Sequence, residues 1–310
     1  MLLPPANWLP QAPLQPLRLD WLESAGVEVA ILRLDHIDPL ISGNKWFKLV
    51  EHLKTAERAG AEGIISLGGA HSNHLHALAA AGKRLGFKTV GLLRGHPQDT
   101  PTVEDLHAFG MQLHWLGYAG YRARHEAGFW TPWQERYPTL HAVPEGGGGL
   151  AGALGCAAIM QQVDEQLAKL CWNDFDAWWM ACGTGTTLAG LALALADGGK
   201  RSLYGALAVP DDHGVGPNIE SILGHATAPV ASYRLIDASR GGFAKVDQAL
   251  LTFIEQTEQV SGVPLEPLYT GKALLALKQL VESGGFAAGT RVVFVHTGGL
   301  QGRRGFAATP

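Results

Sequence analysis

The chain has 310 residues, with 24 Lys and Arg against 28 Asp and Glu, a formal charge of −4 and 17% charged side chains. That is a neutral-to-acidic globular composition with enough apolar material for a core without disulfide or metal staples, and no basic excess to displace counterions from a nucleic-acid backbone. No apolar run reaches the about 20 residues of a membrane-spanning helix, and the opening MLLPPANWLPQAPLQPLRLD carries prolines and no basic start, unlike a secretory signal.

In chain order, residues 27–34 form an apolar run of strand length, followed by a helical pattern over 45–59 with Leu49, Leu53 and Ala56 on one face. A strand at 63–67, a helix at 73–85, a strand at 88–93, a helix at 102–109 and a strand at 111–115 continue the alternation. The stretch 117–138, rich in aromatic and charged residues, is irregular or partly helical. From residue 150 a second series begins: a helix to 170, strand 177–182, helix 187–196, strand 202–209, helices 218–223, 243–260 and 271–281, and strand 291–296. Strands alternating with helices predict an α/β fold of two domains, each an open, mostly parallel sheet with flanking helices. The large domain is expected from 1–58 with 143–310, the small one from 59–142. Ligands of such sheets bind beyond the carboxyl ends of the strands, here in the interdomain cleft.

Glycine is the compositional oddity, with 40 residues. They cluster at Gly68-Gly69, Gly146 to Gly149, Gly183 with Gly185, and Gly298-Gly299, each beside an apolar run, which suggests one site assembled from several loops. Lys45 follows Ser42-Gly43-Asn44 in the first turn of a helix, where the macrodipole disfavours a charge and lowers an amine's pKa; an ordinary surface lysine is the bland alternative. Ser66 to His74 closes a strand and opens a helix, so Ser72 or Asn73 either caps it or meets a ligand. His71, His74 and His76 invite a metal, but their placement does not bring three imidazoles together, and no metal is expected. Gly183-Thr184-Gly185-Thr186-Thr187 gathers N–H groups and hydroxyls at a helix start, as a phosphate requires, without the lysine of a P-loop or the third glycine of GxGxxG. The cysteines Cys156, Cys171 and Cys182 are odd in number and lack CxxC spacing, which suits a reducing cytoplasm.

A candidate amine, an anion cradle and strand-end hydroxyls together match what pyridoxal phosphate requires. The segments SGNKWFKLVEHL, SLGGAHSNH, GTGTTLAG, EPLYTGKALLAL and VFVHTGG also resemble, in order and over residues 28–300, the aminocyclopropane-carboxylate deaminase/D-cysteine desulfhydrase family of fold type II pyridoxal-phosphate enzymes. The resemblance implies pyridoxal 5'-phosphate as cofactor, with Lys45 as the Schiff-base lysine. It implies Asn73 on the ring oxygen, Gly183, Thr184, Gly185, Thr186 and Thr187 around the phosphate, and Thr297 on the pyridine nitrogen. Ser72 and Tyr269 would be catalytic, with Ser72, Asn73, His74 and Tyr269 lining the substrate site. A small amino-acid substrate and a cytoplasmic homodimer are implied as well.

The chain departs from the family in places. Thr270 stands where the deaminases have Glu after the tyrosine, and Thr297 where they have Leu. Phe47 replaces a basic residue, His71 replaces Gln, and Ser239 to Ala244 offers no counterpart to the family's second active-site tyrosine. A neutral hydroxyl at the ring nitrogen makes a milder electron sink, which suits β-elimination from D-cysteine, to pyruvate, ammonia and sulfide, better than opening a cyclopropane. The alternatives are an aminocyclopropane-carboxylate deaminase, an amino-acid racemase, or a non-catalytic pyridoxal-phosphate-binding or sensing protein.

Overall fold

The computed structural model describes residues 10–195, 200–227 and 229–306. Its strands are β1 (Leu14–Leu17), β2 (Glu28–Arg33), β3 (Gly63–Gly68), β4 (Lys88–Leu93), β5 (Gln112–Trp115), β6 (Leu140–Ala142), β7 (Ala177–Cys182), β8 (Ser202–Leu207), β9 (Tyr233–Asp237) and β10 (Arg291–His296). They form a six-stranded sheet in the order β1-β2-β10-β7-β8-β9 and a four-stranded sheet in the order β5-β4-β3-β6. All pairings are parallel except that of β1 with β2. The expected α/β architecture with two mostly parallel sheets is present.

The central strands are apolar on both faces because helices cover both. Along β7, Trp178, Met180 and Cys182 enter one core while Ala177, Trp179 and Ala181 enter the other, so alternation in space leaves no alternation in hydrophobicity. The helix Asn44–Arg58 buries Trp46, Phe47, Leu49, Leu53 and Ala56. It lies so close to the helix Gly149–Cys156 that a Cβ on Gly155 would sit 2.0 Å from the Phe47 carbonyl.

Differences from the sequence expectations are local. Strands β1, β6 and β9 carry weak signals: β1 contains Pro16 and pairs only with β2, β6 has three residues, and β9 is a half-exposed edge. The helix expected over 150–170 is two helices, Gly149–Cys156 and Ala158–Asp164, with a 3₁₀ turn at Leu167–Leu170. The helix expected from 243 begins at Gln248, where the Asp247 carboxylate accepts the Leu250 N–H at 2.9 Å. The aromatic stretch is partly helical, at Gly117–Arg122 and Thr131–Arg136. Residues 1–9 of the proline-rich start and residue 196, the expected end of a helix, lie outside the described residues. No helix among the described residues is long and apolar enough to cross a membrane.

Candidate active site

The site begins where the Lys45 helix meets the end of β10. The Asn44 N–H donates to the Thr297 carbonyl at 3.1 Å. This approach requires Gly43, which has φ 71° and ψ −157°, and whose Cβ would lie 2.0 Å from that same carbonyl oxygen. Lys45 Nζ donates to Asn44 Oδ1 at 2.9 Å, and Asn44 Nδ2 donates to Thr187 Oγ1 at 2.9 Å. The lysine is thereby tied to the glycine-threonine turn far along the chain. Burial, reinforced by the Lys48 charge, drives the Lys45 amine well below the usual lysine pKa.

At the end of β3, Ser72 caps the helix Asn73–Leu85, its Oγ accepting the Leu75 N–H at 3.2 Å. A Cβ on Gly68 would stand 2.4 Å from that Oγ, so the glycine lets the serine tuck in. Asn73 Oδ1 accepts from Gln301 Nε2 at 2.9 Å. Its Nδ2 lies over Gly299, where a Cβ would come within 2.4 Å. His74 is buried with Nε2 2.8 Å from Ser66 Oγ, and that hydroxyl donates to the Val143 carbonyl at 2.8 Å. Because the serine's one proton is committed, Nε2 carries the imidazole proton and Nδ1 is an acceptor, with no hydrogen-bond partner among the described residues. Burial, above all, drives this imidazole well below the usual histidine pKa. His76 turns instead to Asp105 at 3.1 Å, and His71 stands beside the Phe306 ring, so the three imidazoles diverge.

The turn after β7 supplies the anion cradle. Thr186 and Thr187 open the helix Thr186–Ala194, Gly185 precedes it at φ 76°, and the Thr184 and Thr186 hydroxyls are 3.0 Å apart. Lys48 Nζ donates to Thr184 Oγ1 at 3.5 Å, and Asn218 Nδ2 holds the Thr184 carbonyl. A helix N-terminus, two hydroxyls and a buried ammonium make a site for a phosphate. The glycine clusters leave space around it: a Cβ on Gly183 would lie 2.9 Å from the Tyr269 ring, one on Gly146 3.0 Å from Thr184, and one on Gly147 3.2 Å from His74 and Lys48.

Tyr269 closes this side of the site, with the Phe243 ring against it at 5.5 Å. Its N–H donates to Glu266 Oε1 at 2.7 Å, and the same carboxylate accepts from the N–H groups of Leu268 at 2.8 Å and Thr270 at 2.6 Å. Glu266 is 1% exposed, and burial pushes its carboxyl up despite these donors. Burial, with Glu266 and Glu145 nearby, also raises the Tyr269 phenol, which stays protonated. The Thr270 hydroxyl accepts the Glu266 N–H at 2.9 Å and so serves the helix start. Thr297 is buried at the end of β10.

Sequence reasoning missed Asn44, Lys48, Glu266 and Gln301. Lys48 had a signal, since three residues after Lys45 it shares that helix face. The others act through contacts made only on folding. The residues present fit pyridoxal phosphate: an amine whose pKa burial lowers, an anion cradle with its own ammonium, an unpartnered buried acceptor at His74, and glycines where a Cβ would fill the space.

Comparison with known proteins agrees. The family model described as pyridoxal-phosphate dependent enzyme matches residues 9–298. The bifunctional D-cysteine desulfhydrase/1-aminocyclopropane-1-carboxylate deaminase of Arabidopsis thaliana is 28% identical over 294 residues, covering 89% of this chain and 73% of its own. The 1-aminocyclopropane-1-carboxylate deaminase of Burkholderia vietnamiensis is 28% identical over 316 residues, covering 93% and 91%. The crystal structure of an ACC deaminase homologue superposes with a TM-score of 0.81 at 27% identity, over 95% of this chain and 91% of that one. The chain therefore belongs to the pyridoxal-phosphate-dependent enzymes, in the group of 1-aminocyclopropane-1-carboxylate deaminases and D-cysteine desulfhydrases.

Proposed function

We propose that the protein catalyses a deaminating β-elimination on a small amino acid, D-cysteine first, giving pyruvate, ammonia and sulfide. The observation that carries this is the Lys45 amine, held by Asn44 at 2.9 Å and with its pKa pulled well down by burial, which suits it to take a proton from the substrate α-carbon. Pyridoxal phosphate, when bound, supplies the electron sink for the bond broken at that carbon. Lys45 would carry it covalently, Gly183 to Thr187 with Lys48 would hold its phosphate, Asn73 would hold the ring oxygen, and Thr297 would serve the pyridine nitrogen. The Ser72 oxygen accepts from Leu75, which leaves its own proton to donate to the substrate carboxylate. His74 and the protonated Tyr269 phenol would line the substrate site. The α-proton leaves to Lys45, the carbon–sulfur bond breaks with its electron pair on sulfur, and one water replaces the amine. D-cysteine and water thus balance pyruvate, ammonia and hydrogen sulfide.

The neutral Thr297, with Thr270 engaged on Glu266, favours elimination over cyclopropane opening, which has no α-hydrogen to remove. We also infer a homodimer working in the cytoplasm, with the large domain from 1–58 and 143–310 and the small one from 59–142. The test is a product assay on both enantiomers of cysteine and β-chloroalanine and on 1-aminocyclopropane-1-carboxylate. Pyruvate from D-cysteine is expected to dominate. Ketobutyrate formed from the cyclopropane at a higher kcat/KM would make the protein a deaminase of that substrate. No turnover of any sulfur- or chlorine-substituted alanine would end the elimination reading while leaving the cofactor in place.

A further inference from the structure

Lys272 takes no part in the chemistry above, yet its ammonium is held by a cage of main-chain carbonyls. The side chain is 1% exposed, and Nζ donates to the carbonyls of Gly242 at 2.8 Å, Phe243 at 2.9 Å and Ser239 at 3.0 Å, with the Ala208 carbonyl at 3.5 Å. Three short contacts use all three N–H bonds of an ammonium. Ala208 follows β8, and the other three carbonyls come from the loop after β9. Carbonyl dipoles repel one another, and a cation among them offsets that repulsion, the arrangement by which proteins replace the hydration shell of potassium.

The loop's own geometry fits this role. Ser239 is buried, Arg240 has φ 56°, and among the described residues the side-chain bonds made to the loop's N–H groups are to Asp237 at 2.8 Å and Ser239 Oγ at 3.2 Å. Phe243 is gripped at both ends: its carbonyl by Lys272 and its ring by Tyr269, three residues before Lys272. A pocket of about 180 Å³ lined by Asp237, Arg240, Lys272 and Gln279 opens onto the same place, giving a solvent ion a route to it. Glu266, Arg240, Asp247 and Asp237 are the charged groups that act on the ammonium.

We propose that the Lys272 ammonium is a built-in monovalent cation that organises the Ser239–Phe243 loop as a wall of the substrate pocket, and that a chain lacking it becomes dependent on an exogenous ammonium or potassium ion. Lys272 is a positioning residue, acting through Phe243 on Tyr269. Its effect on turnover rests on the placement of Tyr269 in the substrate pocket proposed above; the cation site itself does not.

The experiment compares wild-type and Lys272→Ala holoenzyme, in which the truncated side chain leaves room for an ion at the Nζ position, in choline, ammonium and potassium chloride at about 100 mM, a concentration at which a weak ion site fills. Near-UV circular dichroism reads the Phe243–Tyr269 contact, and steady-state kinetics reads KM and kcat. In choline, which is too large for the cage, the variant is expected to lose the aromatic signal and to raise KM about ten-fold with a smaller change in kcat. Ammonium or potassium restores both, and the wild type responds to neither. A folded variant that is impaired identically in all three salts overturns the proposal, as does one that matches wild type in choline. Restoration of the aromatic signal without KM upholds the cation site and refutes the placement of Tyr269 in the substrate pocket. Should the variant be insoluble, its recovery on refolding in ammonium or potassium but not choline supports the proposal, and failure in all three overturns it.

Discussion

Replacing Gly43 by alanine tests whether the approach of the Lys45 helix to β10 sets the reacting geometry. The new Cβ would lie 2.0 Å from the Thr297 carbonyl oxygen and 2.9 Å from the Gly298 Cα, both backbone atoms that cannot rotate away. A tolerable carbon–oxygen contact is about 3.3 Å, so the helix start must retreat by roughly 1.3 Å. The dihedrals, φ 71° and ψ −157°, belong to a region open essentially to glycine, at a cost of about 1–3 kcal/mol for any other residue. Retreat also breaks the buried Asn44 N–H bond to Thr297, about 1 kcal/mol more, for a total destabilisation of roughly 2–4 kcal/mol. A displacement of about 1 Å at a reacting group costs on the order of 100-fold in kcat. Gly60→Ala is the control: its φ is 67°, but nothing lies within 4 Å of the added Cβ, so it should cost about 1 kcal/mol of stability and no activity. Urea denaturation and steady-state kinetics of both variants decide the matter. If Gly43→Ala matches Gly60→Ala in stability and turnover, the close approach has no catalytic role.

Three further outcomes are expected. Gln301→Glu presents an acceptor to Asn73 where the wild type presents a donor, which turns the Asn73 amide and points its oxygen at the ring oxygen; the Kd for pyridoxal phosphate should rise about ten-fold, and an unchanged Kd would show that the amide is oriented otherwise. Lys45 has a folded-state pKa below its unfolded value, so the unfolded chain binds the extra proton and stability rises with pH up to the usual lysine value; the apoprotein Lys45→Met should therefore melt above wild type at neutral pH, with the gap closing as the pH rises. Asp35 is almost fully buried; burial raises its pKa, but the Arg33 hydrogen bond and the charges of His296 and Arg33 outweigh this and lower it overall. Its stabilisation is present above the ordinary carboxylate range and is lost as the pH falls through the lower folded value, so the melting difference from Asp35→Asn should vanish in acid and not in base.

Much of the site was readable because its chemistry is local. Lys45 in a first helical turn, the Gly183–Thr187 run after an apolar strand and Ser72 at a helix start are each one strand-to-helix junction, set by residues within a few positions of one another. The break in the helix expected over 150–170 and the late start at Gln248 were not readable. The carbonyls of Gly242 and Phe243 that an earlier helix start would have used are taken by Lys272, a residue of a different element. The edge strands β1, β6 and β9 likewise depend on a neighbour rather than on their own composition.

The sequence by itself determined the α/β alternation, the parallel sheets, the cofactor class and the junctions from which the site is made, because propensity, capping and glycine placement act over a few residues. Only the tertiary structure decided that Asn44 reaches Thr187, that Gln301 holds Asn73, that His74 keeps an unpartnered buried acceptor, and that four main-chain carbonyls gather around Lys272. Those contacts join residues separated by tens to hundreds of positions. Hydrogen bonds and charges in a buried site are fixed by which groups the packed core leaves facing one another, and that is a property of the folded chain as a whole.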